Sequence, residues 1–165
     1  MSDLKSLMLR PPRLTLAVAE SLTSGRLQAR IGAISGASNF FRGGITAYTL
    51  ESKVRHLGVD RAAAASVDCV SAAVAEQMAQ GACALFDADL GAATTGYAEP
   101  TADGSVKEPF AWWALARRRP DGRFDLRSAR IDCPGASRTE TQDRVTEAAL
   151  SAVVEWLRSL RAPID

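Results

Sequence analysis

Two short stretches carry residue types suited to acyl transfer: Ala19-Glu20-Ser21-Leu22-Thr23-Ser24-Gly25 and, about thirty residues on, Tyr48-Thr49-Leu50-Glu51-Ser52-Lys53. The first offers hydroxyls and the second a titratable amine. A serine is inert at its own pKa and needs an adjacent base, and the negative charge developing on its target needs oriented donors. Leu14 to Val18 reads as a buried strand, and Leu27, Ile31 and Ile34 are spaced as the apolar face of a helix running from Gly25. The hydroxyls therefore fall at a helix start, where unpaired N–H groups and the positive dipole end favour an alkoxide or an oxyanion. The same residue types are good N-caps, and capping is the competing account.

Lys53 stands out against the composition. The 20 basic residues comprise 17 Arg and three Lys, namely Lys5, Lys53 and Lys107. Arginine serves here wherever a fixed charge suffices, so a retained lysine is a residue that can titrate. To act as a base near neutrality its pKa must fall from ~10.4 to roughly 7–8, a cost of about 4 kcal/mol that burial must impose. The alternative is a solvated helix lysine paired with Glu51 or Asp60. His56, three residues further, offers a Ser-His hydrolase instead, although Leu57-Gly58 looks like a helix end where a histidine is a favourable C-terminal charge.

The elements that must position these groups are legible in outline. Gly44 to Tyr48 reads as a second strand and Ser52 to Leu57 as a short helix closed by Gly58. Ser71 caps a helix reaching about Phe86, with Val74, Met78, Ala82 and Leu85 on one face. Asp89 to Thr95 is a buried strand leading into a Gly96 to Gly104 loop, the segment expected to face a ligand. Phe110 to Arg118 and Arg123 to Asp132 form a hairpin across Pro120-Asp121-Gly122. A final helix begins near Thr139, with Thr139 and Gln142 fitting a capping box, and buries Val145, Ala149, Ala152, Val153, Trp156 and Leu160. Strands separated by helices, then a hairpin and a long helix, predict an α/β fold: a three-layer α/β/α domain with a mixed, partly antiparallel sheet. The 165 residues are expected to form a single domain, with residues 1–12 a flexible or helical extension.

Composition narrows the function classes. A net charge of +1 argues against a broad nucleic-acid footprint, and Arg117-Arg118-Arg119 reads either as a phosphate contact or as a solvated strand end. Three cysteines without paired spacing fit reduced thiols in the cytoplasm, and neither a membrane span nor a signal segment is expected. One histidine excludes a multi-histidine metal site, and the acidic loop residues Glu99, Asp103 and Glu108 are either a solvated loop or a cation site. Dinucleotide and P-loop glycine motifs and the GxSxG elbow are absent.

Taken in order, Thr15 to Gly25, Gly36-Ala37-Ser38, Phe41-Arg42-Gly43-Gly44, Ala47-Tyr48 with Glu51 and Lys53, Leu57-Gly58-Val59, Val70-Ser71, Thr94-Thr95-Gly96 with Ala98 and Pro100, and Val145 to Leu150 resemble a known family. That family is the C-terminal domain of the competence-damage-inducible protein CinA, which also occurs alone as the PncC-type nicotinamide mononucleotide amidase. The resemblance implies hydrolysis of the carboxamide of nicotinamide mononucleotide, giving nicotinic acid mononucleotide and ammonia by a Ser/Lys mechanism without cofactor or metal. It implies Ser21 as nucleophile, Lys53 as general base, Tyr48 and Thr95 lining the site, and Arg138 with Arg144 holding the substrate phosphate. Substrate contacts are further expected from Thr23, Ser24, Gly25, Gly96 and Tyr97, the last stacking on a planar ring or packing on Trp112. The partner is a small nucleotide rather than a nucleic acid or membrane, and a homodimer is expected because family members commonly self-associate.

Leu22, Ser24, Glu99 and Ala111-Trp112 depart from the family pattern, which has Cys, Gly, a glycine-rich loop and Gly-Thr there. A remodelled pocket follows. The alternatives are an amidase for another small amide, or a non-catalytic module that binds a nucleotide or protein through Tyr97, Trp112 and the acidic loop.

Overall fold

Both faces of the strand Leu16–Glu20 (β1) are covered and all of its residues are buried, which is why the run is apolar through Ala19 instead of alternating. It lies parallel to β2 (Phe41–Thr46) on one side and β3 (Leu90–Tyr97) on the other. β4 (Phe110–Arg118) and β5 (Phe124–Asp132) extend the sheet antiparallel, giving the order β2-β1-β3-β4-β5. The computed structural model describes residues 2–162. Helices α1 (Ser2–Leu9), α2 (Arg26–Gly32) and α6 (Arg138–Arg161) pack on one face, and α3 (Leu50–Leu57), α4 (Arg61–Ala65) and α5 (Ala72–Phe86) on the other. The result is the α/β/α layering with a mixed sheet.

Period-two alternation decides what each layer receives. Leu16, Val18, Leu90 and Ala92 face α1, α2 and α6, whereas Ala17, Ala19 and Ala93 face α3 and α5. Carried to the strand ends, the same alternation sends Glu20 and Thr94 toward α2, and Ser21 and Thr95 toward α3. One sheet end thus presents two different sets of polar groups to two different layers.

Several boundaries differ from those read in the sequence. β1 runs two residues later than Leu14 to Val18. β2 ends at Thr46, where its pairing with Glu20 ends, so Tyr48 stands off the sheet and is half exposed. α3 begins at Leu50 because the Thr49 hydroxyl accepts the Ser52 N–H as its N-cap. The capping box of α6 is Ser137 with Glu140, not Thr139 with Gln142; Gln142 is buried, and its Nε2 donates to the Leu22 carbonyl at 2.7 Å. Leu85 is 46% exposed. Contact of α5 with the sheet is centred on Ala79, and six residues further the helix has turned by roughly 240°, away from β3. The first segment is helical: Leu4 and Met8 of α1 are buried in the same cluster as Val153 and Trp156 of α6. The apolar face of α6 is covered by the chain's own core, with Leu160 packed at its margin.

Ala79 can come so close because β3 has no side chain at Gly91. A Cβ there would lie 2.0 Å from the Ala79 carbonyl oxygen.

The β1–α2 turn is organised by Glu20, which has no solvent exposure. Its Oε2 accepts the Thr23 hydroxyl at 2.6 Å and the Gly25 and Leu27 N–H groups at 3.0 Å, and its Oε1 accepts the Gln28 N–H at 2.9 Å. Since the single Thr23 proton goes to Glu20, Thr94 donates its own to Thr23 Oγ1 at 2.8 Å. A carboxylate thus fills the N-terminus of α2, where the dipole favours it. The N–H groups of Gly25, Leu27 and Gln28 are therefore engaged by Glu20, which leaves an oxyanion only donors earlier in the turn.

Two substitutions test this packing by urea denaturation. Gly91→Ala is expected to destabilise by about 1–3 kcal/mol through overpacking. Glu20→Gln removes one acceptor and turns an amide donor toward the helix N–H groups, and a loss of about 2–4 kcal/mol is expected.

Candidate active site

Connections leave the neighbouring strands β1 and β3 in opposite directions, toward β2 and toward β4, so a crevice opens at their carboxyl ends. Two adjoining cavities occupy it. One, of about 310 Å³, is walled by Ser21, Lys53, the Asp68-Cys69-Val70 segment and Thr95. The other, of about 330 Å³, is walled by Arg138 and the loop from Ala98 to Ala102. Leu22, Tyr48, Gly96 and Tyr97 belong to both.

Lys53 sits one turn into α3 and is 1% exposed. Its Nζ lies 3.1 Å from Ser21 Oγ, 2.9 Å from the Ala47 carbonyl oxygen and 3.3 Å from that of Tyr48. Among the described residues it makes no ion pair: Glu51 is bound by Arg61, and Asp60 caps α4 by accepting the Ala63 N–H. Burial pushes the Lys53 pKa down, while the charges of Cys69 and Asp68 act in the opposite sense. As an ammonium, Nζ donates to all three oxygens; as a neutral amine, with two N–H groups and one lone pair, it would keep the two carbonyl bonds and turn the lone pair to the serine hydroxyl.

The other walls are fixed by hydrogen bonds across the crevice. Thr95 Oγ1 donates to the Cys69 carbonyl at 2.7 Å, holding a turn in which Asp68 and Cys69 take φ of +47° and +61°. The Tyr97 hydroxyl donates to Asp68 at 2.8 Å, and burial with this carboxylate pushes its pKa up to about 12. Burial also raises the Cys69 thiol, which argues against a thiolate nucleophile in this wall. The backbone N–H groups of Leu22 and Thr23 have no hydrogen-bond partner among the described residues. They are the free donors that follow Ser21 directly in the chain.

The structure brings Ser21, Lys53, Tyr48, Thr95, Gly96 and Tyr97 together, with Arg138 in the adjoining cavity. Thr23 and Gly25 instead build the Glu20 turn. Ser24 is exposed at φ +51° and lines neither cavity, and of the two serines Lys53 bonds Ser21. Arg144 is exposed on α6 near Cys133 and Glu140, outside both cavities. Arg138 is the first residue of α6 rather than a residue ahead of it; its Nη1 donates to Glu99 at 2.5 Å and its Nη2 to the Tyr48 hydroxyl at 2.7 Å. Tyr97 packs on Phe110, with ring centroids 5.5 Å apart, and not on Trp112. Trp112 and Trp113 point to opposite faces of β4, one into each helix layer, and neither lines the crevice. His56 is exposed near the end of α3.

Glu99, Asp103 and Glu108 are engaged separately, with Arg138, Ser105 and the Gly135 N–H. No cluster of three potential metal ligands exists among the described residues. Arg117, Arg118 and Arg119 pair with Asp125 and Asp87. Sequence reasoning missed Glu20, whose signal was a lone carboxylate ending an apolar strand. It also missed Asp68 and Cys69, which carry no local signal for their left-handed backbone.

No helix among the described residues is long and apolar enough to cross a membrane. Residues 2–157 match the CinA C-terminal domain model. Over 159 residues the chain is 35% identical to a CinA-like protein of Chlorobium limicola, covering 95% of this chain and 37% of that protein. The corresponding figures for a CinA-like protein of Citrifermentans bemidjiense are 37% over 164 residues, with 96% and 36% covered. The chain thus spans about a third of the length of these relatives. Among solved structures, the competence/damage inducible protein CihA of Agrobacterium tumefaciens superposes with a TM-score of 0.79 at 27% identity, covering 97% of this chain and 96% of that one. Fold, crevice and sequence agree: this chain belongs to the CinA C-terminal domain family.

Proposed function

We propose that the chain is an amidohydrolase of the nicotinamide mononucleotide amidase type, working by a Ser/Lys mechanism. The observation that carries this reading is the 3.1 Å approach to Ser21 Oγ of a buried lysine that has no ion-pair partner among the described residues. Ser21 Oγ attacks the carboxamide carbon as its proton passes to Lys53 Nζ, and the Leu22 and Thr23 N–H groups stabilise the oxyanion. Lys53 then delivers that proton to the amide nitrogen, the C–N bond breaks, and ammonia leaves. Water attacks the resulting ester with Lys53 again taking a proton, which returns to Ser21 Oγ as the carboxylic acid departs. Arg138 is the candidate partner for a substrate phosphate in the second cavity.

Release of ammonia and nicotinic acid mononucleotide from nicotinamide mononucleotide tests the reading. Ser21→Ala is expected to abolish it, and Lys53→Arg, which keeps the charge but cannot deprotonate, to lower kcat by about 10²–10⁴-fold. Because the working form of Lys53 is neutral and its pKa is lowered by burial, kcat/KM is expected to rise with pH along one ionisation with its midpoint below 10.5. Full turnover by Lys53→Arg, or a flat profile, would refute the mechanism.

A further inference from the structure

The phosphate-binding candidate is already occupied from within the chain. Arg138 spends Nη1 on Glu99 and Nη2 on Tyr48, so both arms of the fork that would grip an anion bidentately are engaged. Glu99 and Arg138 wall the same cavity, and any anion entering it meets the Glu99 carboxylate as a like charge. Tyr48 ties this cavity to the reacting groups, since its hydroxyl accepts from Arg138 while its carbonyl accepts from Lys53 Nζ. One tyrosine side chain separates the two. An anionic tail on a substrate bound at Ser21 therefore competes with Glu99 for Arg138.

We propose that Glu99 is a specificity-determining residue: an internal carboxylate that competes with the substrate's phosphate for Arg138 and shifts the site toward pyridine amides that lack a phosphate. This rests on the reading of the crevice as an amidase site. The competing pair is half exposed, with side-chain exposures of 44% for Arg138 and 56% for Glu99. The latch is therefore weak enough for a ligand to displace. A pair of this exposure shifts a binding equilibrium by up to about fivefold.

The test uses inorganic phosphate first, titrated calorimetrically into the wild type, Glu99→Gln and Glu99→Gln/Arg138→Ala. Glu99→Gln is expected to bind phosphate about fivefold more tightly than the wild type, and the double variant to lose that gain. In a Ser21→Ala background, Glu99→Gln is expected to tighten nicotinamide mononucleotide by the same factor and to leave nicotinamide riboside unchanged. Equal phosphate affinity in wild type and Glu99→Gln, including binding to neither, would overturn the proposal. So would a gain that survives loss of Arg138 or is shared by the riboside. These are binding measurements, so failure of the amidase reading shows separately, as absent ammonia release.

Discussion

The Glu20 carboxylate is the group around which this sheet end is built. Buried without a cationic partner among the described residues, it is held by one hydroxyl and three helix N–H groups. Charge-assisted bonds of this kind offset a desolvation cost of several kcal/mol only when all of them are made together. The turn from β1 into α2 is consequently fixed, and so is the residue that follows Glu20. Strand alternation puts that residue, Ser21, on the opposite face, where its backbone N–H is anchored to the Thr94 carbonyl at 3.0 Å. A structural carboxylate and the hydroxyl that faces Lys53 can be adjacent in sequence because the pleat separates them.

On the second face the electrostatics are inverted. An amine is buried against two carbonyls and a hydroxyl, so its neutral form is favoured by desolvation while its orientation is set by the acceptors. The Asp68–Tyr97 hydrogen bond keeps the nearby carboxylate engaged with a phenol. The site thus combines a fixed serine hydroxyl, a desolvated amine and, among the described residues, two unpartnered backbone donors. These arrangements follow from how three loops meet at one strand pair.

Much of this was legible in the sequence because it depends on local pattern. The apolar runs, the Gly58 end of the short helix and the scarcity of lysine drew attention to Ser21 and Lys53 before any contact was known. Contacts that depend on distant parts of the chain were not legible. Glu99 and Arg138 are 39 residues apart and Gln142 and Leu22 are 120 apart, and nothing local to either pair announces its partner. Helix starts were misjudged where two capping residues lay close together, as at Ser137 and Thr139. Ser24 was expected as a substrate contact, whereas it is exposed at a left-handed backbone position. Sequence identified the paired indoles, but only the pleat shows that they diverge into separate layers.

The protonation state of Lys53 decides the account. With Lys5 and Lys107 as the remaining lysines, carbon-detected NMR of the lysine Cε signals, assigned by Lys53→Arg, reads it directly. One of three signals titrating below 10.5, and moving to a different midpoint in Ser21→Ala, is the predicted result. Three signals titrating together near the ordinary lysine value would mean that Lys53 stays charged beside Ser21, and that it cannot be the base.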